Sequence, residues 1–278
     1  MEMLPDNSLQ LILLTVLTVA TLIQLLYYWI FFSRMAYSGK QSGNTGKPPV
    51  SIVMTVSNQY LALRDNLPAI MEQDYPDYEV VIVNDNSDDD TSELLESFTK
   101  KYNHLSVVEL TQRLNWFKGR KFPLSLGIKS AKNETLVLTE IRCQPAEKNW
   151  LSEIVSSYKP STEIILGYSS YRTYSGINKW LRFTAFYDAM FYLSMALSGL
   201  AFKAIGRNLS YKKSLFCRHK GFSSHYVIDA GDDELFVNKA ATSKNVSVLT
   251  SSDSKVYITR PVKFGAWLKA EKTRLFVR

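Results

Sequence analysis

Apolar residues change their spacing several times along this chain, and each spacing predicts a different element. Residues 9–32 form a run of 24 without a formal charge, whose most polar members are Gln10 and Gln24. A helix of that length is roughly 36 Å long, enough to cross a hydrocarbon core with some tilt. Tyr27, Tyr28 and Trp29 sit near its far end, where interfacial aromatics belong. A buried core helix would carry a polar stripe, and this run has none. Acidic residues at the start (Glu2, Asp6), the length of the run and the want of a small-residue cleavage site argue against a cleaved signal peptide. Residues 38–49 (SGKQSGNTGKPP) have linker composition.

Beyond the linker the spacing alternates between strand and helix. Residues 50–55 (VSIVMT) predict a short apolar strand, followed by a helix with Leu61, Leu63, Leu67, Ile70 and Met71 on its apolar face. Residues 80–83 (VVIV) are apolar and β-branched without alternation, as in a strand covered on both faces. They break into the polar turn at residues 84–90 (NDNSDDD), after which Leu94, Leu95 and Phe98 mark a helical face. Strands follow at 105–110 and 135–139, with a helix between them ending near Ala131. Strand alternating with helix predicts an α/β domain with a doubly wound, mostly parallel sheet. Ligands bind such sheets beyond the carboxyl ends of the strands. The second half adds strands at 163–168, 246–249 and 255–259 and a long apolar segment, 177–200. Lys179, Arg182 and Asp188 interrupt that segment, which reads either as a core helix or as one lying at a bilayer surface.

Charge and composition narrow the class. The net charge is +7, and beside an apolar span this reads first as attraction to a membrane surface and second as affinity for anionic ligands. No basic array interleaved with aromatics points to nucleic acid. Cys143 and Cys217 are unpaired in spacing and His104, His219 and His225 are scattered, which speaks against a disulfide framework or a zinc site and fits a reducing compartment. Arg34, Lys40 and Lys47 follow the span, so the domain is expected on the cytoplasmic side of the cell membrane.

Several polar clusters are candidates for chemistry. Asp85 ends the second strand, while Asp88, Asp89 and Asp90 read as turn and cap residues. Arg120 and Lys121 stand at a helix N-terminus, where two cations oppose the dipole; a bound phosphate or a solvated loop would each account for them. Asp232 and Asp233 before a helical run supply either N-capping or general-base chemistry.

Taken together these segments resemble the family 2 glycosyltransferases, membrane-associated inverting enzymes with the GT-A fold that use nucleotide-activated sugars. The matching segments are Thr55-Val56-Ser57-Asn58-Gln59 after the first strand, Asn84-Asp85-Asn86-Ser87 after the second, Gly119-Arg120-Lys121, Gly206-Arg207-Asn208-Leu209-Ser210-Tyr211, and Gly231-Asp232-Asp233-Glu234. The resemblance implies nucleotide-sugar contacts from Thr55, Val56, Ser57, Gln59, Asp85, Lys121, Glu140 and Arg142, with Asp85 at the base. It implies Asp233 as general base with Asp232 beside it, and Trp267, Lys272 and Arg274 on the acceptor or diphosphate side. A basic membrane-surface helix explains those last three equally well. The implied partners are a nucleotide-sugar donor, in particular a uridine diphosphate sugar, a glycan or lipid-linked acceptor, and the membrane. The oligomeric state is not indicated. The organisation expected is an anchor at 1–37, a linker at 38–49, a GT-A domain at 50–260 and a basic segment at 261–278; relatives often continue from there into membrane helices, so the chain is open to being a fragment.

One departure matters. Family members end the fourth strand in Asp-x-Asp, whose second carboxylate holds Mg²⁺ or Mn²⁺ on the diphosphate. This chain has Glu140-Ile141-Arg142. Glu140 keeps the first role and is the remaining candidate metal ligand, whereas a guanidinium has no lone pair to give. Either Arg142 replaces the metal by pairing with diphosphate oxygens, or the chain is a nucleotide-sugar-binding or assembly subunit with impaired catalysis. A sugar nucleotidyltransferase is disfavoured, since no Gly-rich loop follows the first strand.

Overall fold

The computed structural model describes residues 6–39, 46–110, 119–173, 178–226, 228, 230–260 and 264–277, and in α1, α6, α9 and the short helical turn at 223–225 leaves the side chains of 6, 178, 225 and 274–277 undescribed. The chain runs α1 (Asp6–Tyr37), β1 (Val50–Val56), α2 (Tyr60–Met71), β2 (Tyr78–Asp85), α3 (Thr91–Lys101), β3 (Leu105–Leu110), α4 (Lys121–Ser130), β4 (Thr135–Leu138) and β5 (Cys143–Pro145). It continues α5 (Trp150–Ser156), β6 (Ile164–Leu166), β7 (Ser169–Tyr171), α6 (Asn178–Leu197), β8 (Leu209–Lys212), α7 (Lys213–Arg218), α8 (Asp232–Ala240), β9 (Val246–Val248), β10 (Val256–Ile258) and α9 (Phe264–Val277).

Seven strands form one sheet in the order β3-β2-β1-β4-β8-β6-β9, and β5-β10-β7 form a second, smaller sheet. In the large sheet β8 runs against both neighbours and every other pairing is parallel. The expectation of a mostly parallel α/β sheet is met. Val80, Val81, Ile82 and Val83 are each at most 1% exposed, because β2 is flanked by β1 and β3 and covered by helices on both faces. α4 lies close on the sheet: a Cβ at Gly127 would come within 2.8 Å of Val53 and 2.9 Å of Val83, so glycine is what admits the approach. That contact fixes the N-terminus of α4 beside the carboxyl ends of β1 and β4.

The apolar face of α2 is as expected but for one residue. Leu63, Leu67, Ile70 and Met71 are buried with Ala62, whereas Leu61 is 47% exposed. Two residues on a helix turn through about 200°, so Leu61 and Leu63 fall on opposite sides.

α1 is long and apolar enough to cross a membrane. Its last turns pack against α6: the Phe32 and Tyr187 rings meet edge to face at 6.4 Å, and the Tyr28 and Tyr187 hydroxyls lie 3.5 Å apart. The core reading of α6 holds for one of its faces, and another face is exposed. Leu181, Ala189, Tyr192 and Leu193 are buried in the core, while Trp180, Phe183 and Phe186 are more than half exposed.

Candidate active site

The carboxyl ends of β2, β1 and β4 lie side by side, carrying Asp85, Thr55–Val56 and Glu140 in that order. The loops after β1 and β2 are sewn together. Asn58 donates its N–H to Ser87 Oγ at 3.0 Å and accepts from the Asp88 N–H at 2.7 Å. Asn58 and Asn86 have φ of +52° and +48°, a left-handed region that asparagine tolerates. Asp89 accepts from the N–H groups of Tyr60 and Thr91, the first residues of α2 and α3. Although desolvation pushes its carboxyl up, these bonds outweigh it and hold the pKa below the usual range. Among the three successive aspartates, it is Asp89 whose side chain ties two helix starts. Val56 is 1% exposed, so only its main chain can meet a ligand; Thr55, Ser57, Gln59 and Asp85 are half-buried at the strand ends.

A second cluster forms a cavity of about 280 Å³ lined by Arg120, Glu140, Lys203, Gly206, Arg207, Asp232 and Asp233, with Ala270 and Thr273 of α9 at its wall. Arg120 Nη1 donates to Glu140 Oε1 at 2.7 Å, and its Nε lies 3.9 Å from Asp232 Oδ2. Arg142 reaches Glu140 Oε2 at 3.5 Å from the rim, its side chain 58% exposed. Burial alone would raise the Glu140 pKa, but Arg120, Arg207 and Arg142 hold it down at about 2. Asp233 is moved the other way. Burial and the neighbouring Asp232 carboxylate push its carboxyl up to about 8, against the opposing pull of Arg120.

Asp233 Oδ2 accepts the Gly206 N–H at 2.8 Å, which turns the carboxylate back into the cavity. Neither Asp232 nor Asp233 caps α8; the N-cap is Gly231, with φ of +77° and no side-chain cap. The capping reading of these aspartates is thereby corrected: they occupy the first helical turn, where the dipole favours negative charge. Arg120 Nε, Arg207 Nε, Asp232 Oδ2 and Asp233 Oδ1 are buried atoms without a hydrogen-bond partner. Their concentration in one cavity marks it as a place built for a polar ligand.

Behind the cavity the Gly-Arg-Asn segment is tied down. Asn208 donates to the carbonyls of Tyr168 and Ser254 at 2.9 and 2.8 Å and accepts from Trp150 Nε1 at 3.1 Å. Thr139 Oγ1 donates to the Arg207 carbonyl at 3.0 Å, joining the end of β4 to the same segment.

Lys121 departs from expectation. It is 1% exposed, and its ammonium donates to the carbonyls of Ile228 and Ala230 at 2.5 and 3.0 Å. It braces the segment leading into Asp232 and does not face the cavity; the neighbouring Arg120 does. Trp267 packs against the core, and Lys272 is exposed on the far side of α9 from Ala270. The Arg274 side chain, like Lys118 and Asp229, lies outside the described residues. Arg207 and Lys203 carried no assigned role from sequence; only the charge at the variable position of Gly-x-Asn could have pointed to Arg207.

Comparison with known proteins agrees with this architecture. The family model for Glycosyl transferase family 2 matches residues 51–223, more than half of the chain. The poly(ribitol-phosphate) beta-glucosyltransferase of Bacillus spizizenii is 26% identical over 215 residues, covering 76% of this chain and 32% of that protein. Among solved structures, the mannosyltransferase PcManGT from Pyrobaculum calidifontis, in complex with GDP-Man and Mn²⁺, superposes with a TM-score of 0.66 at 22% identity, covering 87% of this chain and 66% of that one. S. aureus TarS 1-349 in complex with UDP-GlcNAc superposes at 0.59 and 18% identity, covering 77% and 59%. The fold is therefore GT-A. The chain belongs to glycosyl transferase family 2, and it spans 19% to 35% of the length of the curated relatives it matches.

Proposed function

We propose that this protein transfers a sugar from a nucleotide donor, in particular a uridine diphosphate sugar, to a glycan or lipid-linked acceptor with inversion. The observation that carries the reading is the Asp232–Asp233 pair facing Arg120 and Arg207 across one cavity beyond the strand ends. In a single displacement a carboxylate takes the acceptor hydroxyl's proton as that oxygen attacks the anomeric carbon. Asp233, oriented by the Gly206 N–H, is assigned as that base, and Asp232 holds Arg120 and the acceptor side. Asp85 and the main chain at Thr55, Val56, Ser57 and Gln59 are assigned to the nucleoside, and Arg120, Arg207 and Arg142 to the diphosphate. Lys121 acts by bracing the loop before Asp232. Trp267 and Arg274 belong to a helix that walls the acceptor side; Lys272 points elsewhere.

The residues present do not fit a family-type divalent site. Such a cation takes about six oxygen ligands. Arg142 stands where the family's metal-ligating carboxylate would be, and the remaining candidate, Glu140, is already bonded to guanidinium. Arginine can meet diphosphate oxygens in pairs, so cationic side chains supply the neutralisation here. α1 is assigned as a single membrane anchor with the domain on the cytoplasmic face.

The test is donor turnover by the purified chain across a panel of nucleotide sugars, with Mn²⁺ or with excess EDTA. Turnover in EDTA within about threefold of that with Mn²⁺ is expected, a small effect on the scale of one neutralising charge. Strict Mn²⁺ dependence would overturn arginine neutralisation. Arg142 also favours a second reading, a subunit that binds nucleotide sugar without transferring it; saturable donor binding with no turnover under either condition would select that one.

A further inference from the structure

A larger cavity, of about 570 Å³, lies across α6 from the catalytic carboxylates. One of its walls is the face of α6 formed by Lys179, Arg182, Phe183 and Phe186; Arg182 and Phe183 each lie three or four residues from both Lys179 and Phe186, the spacing that gathers side chains on one side of a helix. Met35, from the last turns of α1, and Lys255 line it as well. Three cations thus surround an apolar hollow. Among the described residues none of the three forms an ion pair, although other lysines and arginines of the chain do.

The cavity has a definite position relative to α1. Tyr187 of α6 touches α1 at Tyr28 and Phe32, the last turns of its uncharged run. With α1 across a bilayer, that contact stands at the depth of the lipid headgroups, and Met35 and the cavity come just beyond it. Trp180, Phe183 and Phe186, 52% to 57% exposed, are aromatic side chains of the kind that settle at this depth. Cations beside them would meet lipid phosphate.

We propose that this cavity binds the phosphorylated headgroup of a bilayer lipid, with Lys179, Arg182 and Lys255 on the phosphate and Phe183, Phe186 and Met35 against the glycerol that carries it. It is a site separate from the donor cavity: Lys203 lines the donor cavity and bonds Asp188 of α6 at 2.5 and 2.7 Å, so α6 stands between the two. The lipid would hold the domain at a fixed tilt on the membrane. The proposal rests on reading α1 as an anchor, and the two can fail separately: membrane fractionation tests the anchor, while headgroup binding is read in detergent.

The experiment uses the full chain in neutral detergent, titrated with dioctanoyl phosphatidylglycerol, dioctanoyl phosphatidylcholine and inorganic phosphate, with bound lipid measured by native mass spectrometry. Saturable binding of phosphatidylglycerol is expected, at least about tenfold tighter than phosphatidylcholine and not displaced by inorganic phosphate. Removing one cation should weaken it roughly fivefold, so R182Q with K255Q should weaken it about twenty-five-fold. K159Q, an exposed lysine elsewhere, should leave it unchanged. Equal binding of the two lipids, displacement by phosphate, or an unaffected double variant would each overturn the proposal. Should the double variant lose its thermal transition, discrimination between the lipids by the unaltered chain decides alone.

Discussion

The Gly206 N–H donates to Asp233 Oδ2 at 2.8 Å, and a Cβ on Gly206 would lie 2.1 Å from that same oxygen. The glycine therefore serves both as donor and as the space the carboxylate occupies. Gly206→Ala must push Asp233 out of its place. A general base contributes about 10²–10⁴-fold, so transfer should fall at least about a hundredfold. Donor affinity by calorimetry should stay within about threefold, because the diphosphate arginines are untouched. A variant with near-normal kcat would remove Asp233 from the base role.

Asp233 also sets a pH dependence. Its carboxyl, raised to about 8 by burial and by Asp232, works as a base only when ionised. The rate should rise as pH passes through about 8 and level off above it. Asp233→Asn should abolish transfer while leaving donor binding nearly unchanged. The stability sign is the reverse of the rate. A raised folded-state pKa favours folding fully below the unfolded value near 4, and this contribution is lost as pH rises through about 8. The Asn variant should accordingly gain thermal stability relative to the unaltered chain above pH 8, as followed by circular dichroism.

Arg120 bridges Glu140 and Asp232, and its removal leaves carboxylates facing one another. Its side chain is 39% exposed, so solvent screens part of the loss. Arg120→Gln should cost about 1 kcal/mol, or roughly 2–4 °C in Tm, together with a rise in donor KM. Glu140, held at about 2, gives stability that is present above the unfolded value near 4.3 and is lost as pH falls through about 2. That acid sensitivity should shrink in Arg120→Gln, because the first partner depressing Glu140 is gone. An unchanged acid limb in the Tm profile would contradict the pairing.

Asn208 is 1% exposed and makes three hydrogen bonds that pin the cavity's Gly-Arg-Asn segment. Asn208→Ala orphans Trp150 Nε1 and the Ser254 carbonyl, at about 1–3 kcal/mol for each unsatisfied buried group, while the Tyr168 carbonyl keeps the Val256 N–H. A destabilisation of about 3 kcal/mol or more is expected by denaturant titration. A cost below about 1 kcal/mol would mean that the segment is held by other contacts.

Local spacing was enough to find the elements of the first half. The unbroken β-branched run at 80–83 could be satisfied only by a strand covered on both faces, and the charge-free run at 9–32 only by a helix long enough to cross a membrane. Residue types placed at strand ends likewise marked Asp85 and Glu140, because acidic and turn-forming side chains gather where a parallel sheet opens to ligand, and Asp233 stood out as half of an acidic pair before a helical run. In these places the chemistry of a few neighbouring residues carries the whole signal.

Tertiary structure decided which side chains meet. Arg120 and Lys121 are adjacent and alike in charge, yet one faces Glu140 while the other is buried against the carbonyls of Ile228 and Ala230. Successive helical residues diverge by about 100°, so their roles depend on how α4 is rotated on the sheet. That rotation is set by the contact of Gly127 with Val53 and Val83, residues distant in sequence. Arg207 came to the site for a similar reason, through Asn208 and Thr139 holding its segment beside β4. The sequence alone determined a family 2 glycosyltransferase fold bearing acidic residues at strand ends and at a helix start; long-range packing determined which cations stand opposite those acids.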